Sequence, residues 1–302
     1  MKEFTFICVC YNQENEIIEH LESIKQVVLR FGKGIENDLI VADDASRDNT
    51  AEAAKGWIER NKALFRRAEV LPKQPNMGTV RNMYRAIDSC TTESFKILAG
   101  DDKYNCRDIY SLYDGIKNEI VVTPVIPFGN FGDMKQNLIN SFKITYRTAI
   151  AYNQKHKLGK LLLFRNYLFA PGVFTPGEFW KDSEVRELLS NFVYIEDIPM
   201  WMKLIYERKV PVRFEPVAQV CYRVDAGQML SATRGADIRK GDNETMLRLY
   251  PKRLTSGKKY LHPSYYKHLV EKAIYSSSAS YDDFFKADPQ AAEIYLEKSQ
   301  VR

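Results

Sequence analysis

The chain has 302 residues, 45% hydrophobic and 27% charged, which gives room for one large α/β domain or two small ones and excludes a collagen-like, low-complexity or disulfide-stapled protein. No run of about 18 apolar residues occurs, so no membrane-spanning helix is expected. Forty-four Lys/Arg against 39 Asp/Glu leave a net charge of +5, too small an excess to point to nucleic acid.

No basic segment followed by an apolar run opens the chain, so no secretory leader is expected. The five cysteines, Cys8, Cys10, Cys90, Cys106 and Cys221, are odd in number and lack metal-ligand spacing. They read as reduced thiols of the cytoplasm. With four histidines, none beside a cysteine pair, zinc is not expected.

Residues 4–10 form an apolar, β-rich run that predicts a strand buried on both faces. Across 14–31, Ile17, Leu21, Ile24, Val28 and Phe31 recur at helical spacing, and Gly32 and Gly34 close the helix. Residues 39–42 predict a second buried strand, 50–63 a helix, 68–71 a third strand, 78–89 a helix and 95–99 a fourth strand. Strands alternating with helices imply right-handed crossovers and a mostly parallel, doubly wound sheet with helices on both faces. Beyond residue 105 the pattern loosens: a strand over 120–127, a helix over 142–160, a helix over 183–190, a strand over 191–195, a helix after Pro199, and one or two strands within 210–223. The remainder leans helical and basic. Residues 234–272 hold ten Lys/Arg against four Asp/Glu, an excess that suits either a solvated helical face or an anionic membrane surface.

In such sheets ligands bind beyond the carboxyl ends of the strands. Tyr11-Asn12, Asp43-Asp44, Asn76 with Gly78, and Asp101-Asp102 all fall at those ends, which predicts one shared site. Ser46, Asp48 and Thr50 are natural helix caps. Asp43 and Asp44 at a strand tip suit acceptance of a nucleobase N–H or a ribose hydroxyl. Asp101 and Asp102 are expected at an exposed strand end. Adjacent carboxylates repel, so they suit a hard cation such as Mg²⁺ or Mn²⁺ shared with a diphosphate, or else an ordinary turn. Glu196-Asp197, between a strand and a helix, fits a general base or a pair facing the helix dipole. Arg81, in the first turn of its helix, fits a phosphate contact or a plain surface position.

These residues resemble the inverting glycosyltransferases of family 2 with the GT-A fold, of the kind that builds bacterial cell-surface glycans. The resemblance rests on five ordered pieces: CYNQE at 10–14, DDASRDNT at 43–50, Asn76-x-Gly78 with Asn82, LAGDDKY at 98–104, and Glu196-Asp197. They cover roughly residues 4–225. The resemblance implies that Tyr11, Asn12, Glu14, Asn76, Gly78 and Arg81 belong to the substrate site. It further implies that Asp43 or Asp44 reads the base, most often uracil, that Asp101 and Asp102 hold Mn²⁺ or Mg²⁺, and that Asp197 is the catalytic base with Glu196 beside it. Ala99 stands where the family's metal motif has its first aspartate. The Gln-x-x-Arg-Trp motif of processive members is absent; Gln228-Met-Leu-Ser231 stands instead, which implies addition of a single sugar. Residues 1–105 would form the nucleotide-sugar half, 106–230 the acceptor half and 231–302 a helical basic C-terminal segment. The partners implied are a nucleotide sugar, UDP-linked, and a glycan or lipid-linked acceptor, with no nucleic acid. The place implied is the cytoplasm, peripheral on the inner face of the membrane. A nucleotidyltransferase would show a Gly-rich basic loop after the first strand, which Cys10-Tyr-Asn-Gln lacks. A dinucleotide-binding dehydrogenase would show Gly-x-Gly-x-x-Gly. A non-catalytic sugar- or nucleotide-binding homologue would not need every acidic cluster.

Overall fold

The computed structural model describes residues 1–129, 135–224 and 240–253. Its centre is β1 (Glu3–Cys10), flanked in parallel by β2 (Glu36–Asp43) and β4 (Phe95–Ala99), with β3 (Arg67–Val70) outside β2, in the order β3-β2-β1-β4. The register puts Cys10 beside Asp43 and Val9 beside Ala99, so the carboxyl ends lie along one edge. Strand β1 is buried on both faces because alternate residues enter different cores. Phe4, Phe6 and Cys8 pack with α1 (Ile17–Phe31) and α2 (Thr50–Asn61), whereas Ile7 packs with Ile40, Phe95 and α3 (Thr79–Ser89) on the other side. Helices thus cover both faces, the doubly wound arrangement that the alternation predicts. Helix α1 begins at Ile17 rather than residue 14, since residues 13–16 form a turn in which the N–H groups of Glu16 and Ile17 donate to the Gln13 carbonyl.

After β5 (Lys103–Tyr104) and α4 (Ile109–Asp114), the segment expected as one strand over 120–127 divides into β6 (Ile120–Val122) and β7 (Val125–Phe128). Pro124 has no N–H to give a ladder, and the Thr123 N–H turns to the Gly172 carbonyl at 2.8 Å. The two strands therefore join different sheets, β5-β10-β7 and β8-β6-β9, with β8 at Val173–Phe174, β9 at Val212–Phe214 and β10 at Val220–Arg223. The helix expected over 142–160 is α5 (Lys135–Gln154) followed by α6 (Leu158–Leu161); His156 in a left-handed conformation, φ 54°, separates them. Next come α7 (Gly177–Lys181), α8 (Ser183–Leu189) and α9 (Asp197–Trp201), the last continuing as a π-helical stretch, Met202–Glu207.

Residues 191–195, expected as a strand, pair with no strand among the described residues: the Asn191 and Phe192 N–H groups donate to the Leu188 and Leu189 carbonyls, and those of 193–195 find another acceptor, described below. Helix α10 (Lys240–Leu249) docks through Met246 and Tyr250 into the second core, formed by Tyr146, Leu161, Trp201 and their neighbours. Most of the basic 234–272 stretch lies outside the described residues. Among those described, no helix is long and apolar enough to cross a membrane.

One buried charge joins the sheet to this second half. Lys96, on β4, is buried; its Nζ donates to the Val173 carbonyl at 2.7 Å and lies 4.4 Å from the centre of the Phe174 ring. Desolvation pulls its pKa down to about 7. Between there and the ordinary lysine value, the unfolded chain binds a proton that the folded one does not, so stability rises with pH across that window, by at most about 1.4 kcal/mol per pH unit. Melting temperatures from pH 7 to 9 should show this rise for the native protein and a flatter profile for Lys96→Met.

Candidate active site

Two loops at the carboxyl edge of the sheet lock together. Asn12, after β1, takes φ 52°, a left-handed conformation that Asn tolerates. Its N–H donates to Ser46 Oγ at 2.8 Å, and its Oδ1 accepts the Arg47 N–H at 2.8 Å. Glu14 Oε2 accepts the Asn49 N–H at 3.0 Å, and Thr50 Oγ1 accepts the Gln13 N–H at 2.8 Å. Asp48 Oδ2 accepts the Glu14 N–H at 3.2 Å, and its Oδ1 the Thr50 N–H at 3.0 Å. Thus Ser46, Asp48 and Thr50 tie one loop to the other rather than only capping α2.

The two aspartates after β2 serve this architecture first. Asp43 accepts the N–H and the hydroxyl of Ser46 within its own turn. Asp44 accepts the N–H groups of Met77 and Gly78 at 2.8 and 2.9 Å, while Asn76 Nδ2 donates to its carbonyl at 2.8 Å. Both carboxylates are buried, and contact with a base is left to their remaining lone pairs. Gly78 holds φ 83°, and a Cβ there would come within 2.7 Å of the Val193 carbonyl oxygen. Only glycine lets the start of α3 approach the 193–195 segment so closely.

Beside these loops lies a cleft of about 480 Å³, lined among others by Thr79, Asp101, Asn166, Glu196, Asp197 and Tyr222. It brings together two acidic motifs that are far apart in sequence. Asp197 is the first residue of α9. Its Oδ2 accepts from Asn166 Nδ2 and its Oδ1 from the Ile198 N–H, both at 2.6 Å. Asn166 is itself oriented by the Leu168 N–H, donated to its Oδ1 at 3.0 Å. Arg253 stands near enough to sense the Asp197 charge. Burial pulls its guanidinium down to about 10, and Asp197 works in the opposite direction. Its Nη1 donates to the Leu162 carbonyl at 2.9 Å.

Asp101 and Asp102 part company. Asp102 is not at an exposed strand end: it is 2% exposed, its Oδ1 accepts the Arg223 N–H at 2.8 Å, and its carbonyl oxygen lies 2.8 Å from His20 Nδ1. Burial, then the neighbouring Asp101 charge, push its carboxyl well above the ordinary range, against the Arg223 N–H, His20 and Lys96. Asp102 therefore pins the turn to β10 and, although it borders the cleft, is almost wholly buried there. Asp101 lines the cleft, and its carbonyl oxygen accepts Arg223 Nε at 2.9 Å. Among the described residues no group of three His, Cys, Asp or Glu side chains is arranged to hold a metal. One cleft carboxylate does fit a mode in which Mg²⁺ or Mn²⁺ arrives with a diphosphate and keeps several waters.

Of the residues singled out in the sequence, Asp101, Asp102, Glu196 and Asp197 border the cleft, and Asn12, Glu14, Asp43, Asp44, Asn76 and Gly78 form the locked loops beside it. Tyr11 is largely exposed, and Arg81, on the first turn of α3, is exposed and does not line the cleft. Asn166 and Arg223 carry no motif and are found only by proximity.

The sequence profile of Glycosyl transferase family 2 matches residues 5–179. No curated protein matches the sequence. Among solved structures, Staphylococcus aureus TarS residues 1–349 in complex with UDP is similar at TM-score 0.53 and 16% identity, covering 97% of this chain and 77% of that one. The same protein in complex with UDP-GlcNAc gives TM-score 0.52 at 16% identity, covering 98% and 79%. The mannosyltransferase PcManGT from Pyrobaculum calidifontis, in complex with GDP-Man and Mn²⁺, gives TM-score 0.52 at 17% identity, covering 99% and 75%.

Proposed function

The chain belongs to glycosyl transferase family 2 and is a glycosyltransferase of GT-A fold, and on that premise we propose that it moves one sugar from a UDP-linked donor to a hydroxyl of a glycan or lipid-linked saccharide, with inversion at the anomeric carbon. The observation that carries this reading is the meeting of Asp101 and Asp197 in one cleft beyond the carboxyl ends of the parallel strands. Residues 1–105 would hold the donor, with the nucleotide against the locked loops of Asn12, Glu14, Asp43 and Asp44. Residues 106–230 would hold the acceptor. Asp197, oriented by Asn166, would take the proton of the attacking hydroxyl as the bond to the anomeric carbon forms and the nucleoside diphosphate leaves from the opposite face. Asp101 would hold a divalent cation, Mn²⁺ or Mg²⁺, which neutralises charge on the leaving diphosphate. The exposed cations of 240–253, Lys240, Arg248 and Lys252, suit an anionic membrane surface carrying a lipid-linked acceptor.

UDP is favoured because an aspartate pair at the tip of β2 suits an imide N–H, and the TarS structures carry UDP and UDP-GlcNAc; the mannosyltransferase structure, with GDP-Man, makes GDP the competitor. A melting-temperature panel of UDP-glucose, UDP-GlcNAc and GDP-mannose with Mn²⁺ decides between them. A ligand at a hundred times its Kd stabilises by about 2.7 kcal/mol. The UDP sugars are expected to give the larger shift, followed by slow release of UDP with water as acceptor. A clear preference for GDP-mannose would overturn the UDP assignment, and the absence of both shift and release for all three would overturn the transferase assignment.

A further inference from the structure

Asp242 belongs to no motif, yet it is 4% exposed and its carboxylate gathers three successive main-chain N–H groups from a segment 47–49 residues earlier in the chain. Oδ1 accepts from Val193 at 3.0 Å; Oδ2 accepts from Tyr194 at 2.7 Å and from Ile195 at 3.0 Å. These are the N–H groups that residues 191–195 do not give to a neighbouring strand, and the next two residues are Glu196 and Asp197. The segment is held from its other side as well: the Val193 carbonyl accepts the Val80 N–H at 3.0 Å, at the start of α3, where Asp44 holds Met77 and Gly78. Two carboxylates, one from each end of the chain, thus clamp the approach to Asp197. Helix α10 gives Asp242 a rigid mount, since Met246 and Tyr250 anchor it in the second core.

We propose that Asp242 is a positioning residue: it fixes the turn at Val193–Ile195 and through it the aim of Asp197 into the cleft. This rests on the reading of Asp197 as the base. Charge-assisted bonds from a carboxylate to consecutive N–H groups are strong and geometrically demanding. The reacting carboxylate starts two residues beyond the last of them, and a displacement of about 1 Å at a reacting group costs on the order of a hundredfold in rate.

Asp242→Asn tests this with little change of shape. It keeps one acceptor oxygen and turns an NH₂ toward an N–H, so at least one of the three bonds is lost. Three readings are taken on the full chain. Amide hydrogen exchange should quicken at residues 193–195 while β1 and β2 stay protected. Release of nucleotide from the donor panel with Mn²⁺, water as acceptor, should slow by roughly 10- to 100-fold, with donor affinity within about twofold of native. The double variant Asp197→Asn/Asp242→Asn should be no slower than Asp197→Asn alone, because groups acting as one unit are not additive. Unchanged exchange at 193–195, an unchanged rate, or independent multiplication of the two losses would each overturn the inference. If Asp242→Asn does not fold, Asp242→Glu, which retains both acceptor oxygens, is read in the same assays and should keep part of the rate. A native rate for Asp197→Asn removes the base assignment and this inference with it. A slow Asp197→Asn beside a native-rate Asp242→Asn removes the inference alone.

Discussion

Asp197→Asn is expected to bind its nucleotide sugar as the native protein does and to turn it over ~10²–10⁴-fold more slowly, the range for loss of a positioned general base. The substitution keeps the size of the side chain and the bond that Oδ1 accepts from the Ile198 N–H. It removes the charge and the capacity to take a proton. At Oδ2 the new amide meets the Nδ2 donor of Asn166, so one of the two amides must turn; if Asn166 turns, its bond from Leu168 is lost. One such exchange costs about 1 kcal/mol, a drop in melting temperature of roughly 2–4 °C. A large rate loss beside a small stability loss is therefore the signature of the base. Donor affinity measured by calorimetry completes the comparison, because a base in the proposed place would face the acceptor and not the nucleotide. A fully active Asp197→Asn would mean that the carboxylate only starts α9, and Glu196 would be the next candidate.

Asp101→Ala is expected to lower nucleotide release by roughly 10²–10³-fold, since a metal that neutralises a leaving diphosphate contributes several kcal/mol and each 1.36 kcal/mol is tenfold. With Ala99 in place of a second carboxylate, Asp101 is the cleft side chain proposed to hold the metal, so removing it should also abolish the response to added Mn²⁺. Chelation by EDTA should reproduce the loss in the native protein, and Mn²⁺ or Mg²⁺ should restore it. Asp102→Ala is expected to behave differently. It leaves the Arg223 N–H without its acceptor in a buried place, at a cost of about 1–3 kcal/mol, and should show first in the melting temperature. Native activity of Asp101→Ala in the presence of EDTA would establish a transfer reaction that uses no metal.

Where the physics is local, the sequence is informative. Residues 39–42 read as a buried strand and lie within one, because Leu39, Ile40, Val41 and Ala42 are apolar and all buried. The spacing from Ile17 to Phe31 gave α1, and the glycine at 78 marked a place where the backbone leaves the ordinary region. The clustering of Asn12, Asp44 and Gly78 at one edge followed from strand direction alone. Three features were not legible. The apolar pattern of residues 191–195 does not distinguish a strand from a segment whose last three N–H groups go to a single carboxylate 47–49 residues later. Asp101 and Asp102 are identical in type and adjacent, both border the cleft, and only the position of β10 makes one of them a buried acceptor for Arg223. Asn166 has no local signal, since its function is defined by what lies across from it.

The sequence by itself determined the alternation of strands and helices over residues 4–99 and the placing of acidic residues at the carboxyl edge, because burial, periodicity and strand-end position are properties of short stretches of chain, and its ordered motifs carried the resemblance to the family. The tertiary structure alone decided which of those acids face the cleft, which are consumed in holding the backbone, and that Asp242 and Asn166 stand behind Asp197. A carboxylate looks the same in sequence whether it binds a ligand or three main-chain N–H groups, and the difference lies in which distant donors folding brings to it.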